Sequence, residues 1–75
     1  MKVGDMIKFS QAHWEKPGLD YCADWLGIIV EKTMDHEYRL ATVSVLWPHG
    51  GAVTDYPSSW WNKLPYEPFE VISNA

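Results

Sequence analysis

Cys22 is the only cysteine in this chain of 75 residues, and that narrows what the chain can fold into. A domain of this size buries only about 60% of the surface its unfolded chain exposes. Small domains therefore lean on disulfides, a metal, neighbours or unusually large core side chains. No disulfide can close within this chain. Its compensation is in rings: five Trp, four Tyr and two Phe. Each buried ring removes roughly 150–250 Å² from water. The expectation is a single domain, 1–75, built on an aromatic core, with a net stability of about 4–11 kcal/mol. A lone cysteine also fits a reducing compartment, or assembly inside a cell.

The pattern is one of short strands separated by turn signals, with no apolar spacing of helical period sustained for three turns. Val3-Gly4-Asp5 reads as a turn and Met6 to Phe9 as a first strand, with Ile7 and Phe9 on one face. Ser10 to Asp24 has no regular period and reads as a long loop, a length at which loops are often functional. Leu26 to Lys32 is an apolar strand in which Gly27 marks a bulge or tight bend. Thr33 to Glu37 is a polar turn. Tyr38 to Trp47 is the longest strand, with Val43, Val45 and Trp47 as its core face. Pro48-His49-Gly50-Gly51 is a tight turn whose glycines supply positive φ. Ala52 to Tyr56 returns as a fourth strand. Pro57 to Trp60 forms one helical turn that a serine can cap. Asn62 to Pro68 is an irregular connection with two prolines, and Phe69 to Ser73 is the last strand. Five short strands of this kind predict an all-β fold, a small curved barrel whose ends meet, because closure hides strand edges.

The segments "KVGDMIKF", "GIIVEK", "VSVLW", "YPSSW" and "FEVIS" together resemble the SH3-like small β-barrels encoded by tailed bacteriophages. The resemblance implies a five-stranded SH3-like barrel with a long first loop and one helical turn before the last strand. It leaves out the long loop and the 62–68 segment. It also implies an assembly or interaction role, as a small virion or accessory protein, rather than chemistry. Trp61 stands where such barrels carry an aliphatic residue, which bears on the strand register.

Chemistry finds little support in the residues. His13, Asp20, Cys22 and Asp24 share the long loop, but a cysteine nucleophile needs a base in contact and a means of lowering its pKa. The bland alternative is a buried cysteine in a solvated acidic loop. His13, His36 and His49 are far apart in sequence, unlike paired zinc ligands, and Asp20 and Asp24 do not make a calcium loop. No catalytic residue, metal or other cofactor is expected. Gly4, Gly27, Gly50 and Gly51 do not lead into a helix that could hold phosphate.

Binding through rings is the stronger reading. Trp14, Tyr21 and Trp25 lie in or beside the long loop, and Tyr56 and Trp60 lie near the last turn. The resemblance implies that these two regions are neighbours. A groove between them would take a proline-rich or extended peptide. Trp47 and Trp60 are expected mainly in the core. Adjacent Trp60 and Trp61 cannot easily both face inward, so Trp61, with Trp14 and Trp25, is expected in an exposed contact patch. The expected partner-binding residues are Trp14, Tyr21, Trp25, Tyr56 and Trp61.

The net charge of −4, with basic residues scattered along the chain, opposes non-specific nucleic-acid binding, which depends on Lys and Arg displacing counterions. No run is apolar enough to cross a membrane, and "MKVGDMIKF" lacks the pattern of a secretory signal. The leading expectation is a non-enzymatic protein-interaction domain, located in a virion or the host cytoplasm. It would dock on a larger virion protein or on copies of itself. The alternative is a phage-encoded regulator that binds host transcription machinery or nucleic acid.

Overall fold

Alternation in Met6–Phe9 puts Ile7 and Phe9 on one side, and both are buried in strand β1. The computed structural model describes residues 1–48 and 50–74. In it four further strands follow: β2 (Leu26–Met34), β3 (Leu40–Trp47), β4 (Ala52–Pro57) and β5 (Phe69–Ser73). All ladders are antiparallel, and the sheet order is β4-β3-β2-β1-β5. Two single-turn helices, α1 (Gln11–Trp14) and α2 (Ser58–Trp61), complete the domain with a 3-10 turn at Asp20–Cys22.

The sheet does not close into a barrel, contrary to the sequence expectation: β4 and β5 are its two edges. Pro57 ends β4 and Pro68 immediately precedes β5, and proline has no N–H to donate where a closing ladder would have to begin. The two edges meet through side chains instead. Tyr56 of β4 lies edge-on to Phe69 of β5, with centroids 5.0 Å apart, and Trp60 of α2 lies 6.0 Å from the same ring.

Ile7, Phe9, Cys22, Ile29, Val43, Val45 and Trp47 form the core, so the face expected from the β3 alternation is the buried one. Phe9 is its centre. It stacks on Trp47 at 5.1 Å, on Phe69 at 5.3 Å and on His13 at 4.6 Å. Gly27 is neither a bulge nor a bend. An added Cβ would lie 2.5 Å from Val45 Cγ1 and 2.7 Å from the Trp47 ring, so glycine is required for the β2 backbone to lie against the core. The irregularities in β2 fall between Ile29 and Glu31 and between Thr33 and Met34.

Two turns differ from expectation. The β2–β3 connection is shifted: Thr33 and Met34 extend β2, and Tyr38 and Arg39 precede β3. The Asp35 carboxylate accepts the backbone N–H groups of Glu37 (2.8 Å) and Arg39 (3.0 Å), and Asp35 N–H bonds to the Arg39 carbonyl. An Asx-type turn of this kind outcompetes the ladder at Tyr38. Between β3 and β4, the N–H groups of Gly50 and Gly51 both reach the Trp47 carbonyl, and Gly51 has φ +69°. His49 of that turn lies outside the described residues. Helix α2 runs one residue later than expected, with Pro57 at its N-cap position and no serine cap bond.

Candidate functional site

The segment 10–24, expected as a loop without regular structure, is folded onto the core. Ser10 Oγ donates to the Glu67 carbonyl at 2.6 Å and Ser10 N–H to the Pro68 carbonyl at 2.8 Å. These bonds tie the start of α1 to the connection before β5. His13 is buried, stacked on Phe9 and edge-on to Trp60. Its Nδ1 lies 3.0 Å from the Tyr66 hydroxyl. Burial lowers its pKa, so the neutral imidazole is favoured.

Between this segment, β4 and α2 lies a concavity of about 400 Å³. Phe9 and His13 form its floor. Tyr21, Trp25, Tyr56, Trp60 and Tyr66 form its walls, with Leu19 and Leu64 between them. Tyr21 packs edge-on to Trp25 at 5.4 Å and Tyr56 packs on Trp60 at 5.2 Å, so two ring pairs line the one concavity. Tyr56 is held by its hydroxyl, which accepts the indole N–H of Trp47 at 3.2 Å. Burial raises its pKa against that bond, so the phenol keeps its proton. Lys16 lies 5.3 Å over the Tyr66 ring, while Asp20 and Asp24, next to Tyr21 and Trp25 in the chain, are exposed.

Of the five expected partner-binding residues, the structure brings together Tyr21, Trp25 and Tyr56. Trp14 and Trp61 are not part of that concavity. Both are half-buried and packed against the core, and Trp61 instead borders a shallower polar hollow with Asn62, Pro65 and Glu67. The expected exposed tryptophan patch does not form, because Trp14, Trp25 and Trp61 all pack partly on the core; the exposed ring here is Tyr21, at 63%. Trp60, expected mainly in the core, is half-buried and lines the concavity. Sequence reasoning missed Tyr66 and the ring-binding use of His13. The only signal was the "PYEP" stretch, where prolines on both sides stiffen the backbone that carries Tyr66.

The Cys22 thiol is poorly placed to act as a nucleophile. The Cys22 thiol is buried and donates to the Leu19 carbonyl at 2.9 Å. Burial pushes its pKa up, with Asp20 adding to the effect against the backbone bond that lowers it. A thiol held in this way is a poor thiolate. Among the described residues, no three His, Cys, Asp or Glu side chains gather in a way that could hold a metal ion, and no helix is long and apolar enough to cross a membrane. No family model, no curated protein and no solved structure matches the chain.

Proposed function

We propose that this chain is a non-enzymatic interaction domain, an open variant of the SH3-like small barrel, that receives an extended segment of a protein partner between its two ring pairs. The observation that carries this reading is that the ring pairs Tyr21–Trp25 and Tyr56–Trp60 line one concavity together with Phe9 and His13. A ring-lined concavity with a few polar tips suits an extended or polyproline-type chain, which presents flat apolar faces and unpaired carbonyls. The protonated phenol of Tyr56 and the exposed Tyr21 hydroxyl supply donors for such carbonyls.

The acidic net charge and the exposed Asp20 and Asp24 next in sequence to Tyr21 and Trp25 favour a protein over a nucleic-acid strand, which needs a basic track beneath stacked bases. The resemblance to phage-encoded barrels makes a larger virion protein the partner and a small virion or accessory component the role. Quantitative mass spectrometry of particles purified from the source tests that role. Recovery in a fixed ratio to the main shell protein is the expected result. Absence from the particle, with clear expression in the host, would overturn the virion role and leave a regulator acting inside the cell.

A further inference from the structure

The ring-lined concavity is one-sided in charge. Its polar groups are the Tyr21, Tyr56 and Tyr66 hydroxyls, the Cys22 thiol and the His13 imidazole. Phenols and a thiol can only add negative charge on titration, and burial favours the neutral form of His13. Among the described residues, no lysine or arginine lines the concavity. The segment 10–24 supplies His13, Leu19, Tyr21 and Cys22 to the lining, and it carries Glu15, Asp20 and Asp24 against Lys16 alone.

Asp20 is the acid tied most closely to the site. It shares one 3-10 turn with Tyr21 and Cys22, and its charge reaches the Cys22 thiol. It is exposed, and no ion pair holds it among the described residues. The rings favour the same sign of partner. The face of an indole or phenol ring is negative and attracts an ammonium or guanidinium group within about 6 Å, tryptophan best. One ring of this concavity already does so: Nζ of Lys16, which is not a lining residue, lies 5.3 Å from the Tyr66 centroid. Both tryptophans of the lining, Trp25 and Trp60, are half-buried, and partial exclusion of water strengthens a cation–ring contact.

We propose that the segment received by the concavity carries a positively charged side chain, arginine foremost, that seats among Tyr21, Trp25, Tyr56 and Trp60 with the Asp20 carboxylate as its counter-charge. This rests on the reading of the concavity as a peptide groove and adds the chemistry of the occupant. A planar guanidinium is favoured over an ammonium because it stacks on ring faces and is more weakly hydrated. Its aliphatic stem suits the apolar lining at Leu19 and Leu64. An acidic side chain in the same place is repelled by Asp20 and by the ring faces. The net charge of −4 acts in the same direction on encounter.

The test uses displayed random peptides selected on the whole chain. Binders that shift the ¹⁵N signals of Tyr21 and of the Trp60 indole are resynthesised. Arginine or lysine is expected in these binders, without Asp or Glu beside it. Citrulline in place of the arginine keeps the shape and loses the charge, and is expected to weaken binding at least about fivefold. Asp20→Asn, an exposed change checked for folding by circular dichroism, is expected to weaken the arginine peptide about twofold or more and to leave the citrulline peptide unchanged. Groove binders without a basic residue, citrulline binding as tightly as arginine, or Asp20→Asn acting equally on both peptides would each overturn the proposal and leave the peptide groove standing. A selection that yields no binder in the concavity would overturn both.

Discussion

The His13 imidazole lies flat on the Phe9 ring, centroids 4.6 Å apart and planes 18° from parallel, while its Nδ1 meets the Tyr66 hydroxyl at 3.0 Å. One side chain thus joins α1 to the core and to the connection before β5. Its pKa is lowered in the folded state by burial. A histidine depressed in this way contributes stability that is present above its unfolded pKa, near 6.5, and is lost as pH falls through the lower folded value. The urea midpoint should therefore drop between pH 7 and pH 5 in wild type. In His13→Phe, which keeps the stack and cannot protonate, that part of the drop should vanish. An unchanged pH profile in the variant would remove His13 from this role.

Phe9 touches His13, Trp25, Trp47, Tyr56 and Phe69. Phe9→Ala should cost about 3–5 kcal/mol, a large part of the whole stability expected for this length, about 4–11 kcal/mol. Thermal unfolding followed by tryptophan fluorescence should show a variant that is largely unfolded or melts far below wild type.

Gly27→Ala places a methyl 2.5 Å from Val45 Cγ1 and 2.7 Å from the Trp47 ring. Overpacking of this kind costs about 1–3 kcal/mol. The melting temperature should fall by several degrees or more, at about 4–8 °C per kcal/mol for a domain of this size. No change would mean that β2 stands further from the core than described.

Tyr38→Gly should have the opposite effect. Relief of the positive φ should stabilise the monomer, by about 1 kcal/mol, less the extra unfolded-chain entropy of glycine. An unchanged or lower urea midpoint would mean that the positive φ at Tyr38 stores no strain.

Cys22 should react with a mild thiol reagent far more slowly in the native protein than in urea, at a rate that follows unfolding. Fast native labelling near pH 7 would contradict a buried thiol bonded to the Leu19 carbonyl.

Much of the fold was legible in strand parity. The bounds of β1 and β5 agree with the reading, and the buried faces of β1 and of Val43-Val45-Trp47 follow from alternation alone. Closure was not legible, because it depends on whether Pro57 and Pro68 leave donors at the two edges, which alternation does not encode. The shift at Tyr38 was hidden by a similar competition, in which one Asp35 carboxylate outweighs the strand propensity of an aromatic residue. In the groove, Tyr21, Trp25 and Tyr56 were accessible as ring-rich segments flanking the long connection. Trp14 and Trp61 are half-buried rather than exposed because sequence shows where a ring lies along the chain, while its facing is set by packing. Trp14 is drawn inward with α1 by the bonds at Ser10.

The central claim is that the two ring pairs of the concavity bind an extended peptide. Its most direct test is to select binders from a displayed library of random peptides and to map the best one by two-dimensional ¹⁵N NMR. The account predicts shifts concentrated at Tyr21, at the indole N–H groups of Trp25 and Trp60, and at Tyr56 and Tyr66. It also predicts a loss of about 2 kcal/mol in binding for Tyr21→Ala, as for an anchoring ring. Shifts confined to another face, or binding unaffected by Tyr21→Ala and by Trp60→Leu, would contradict it.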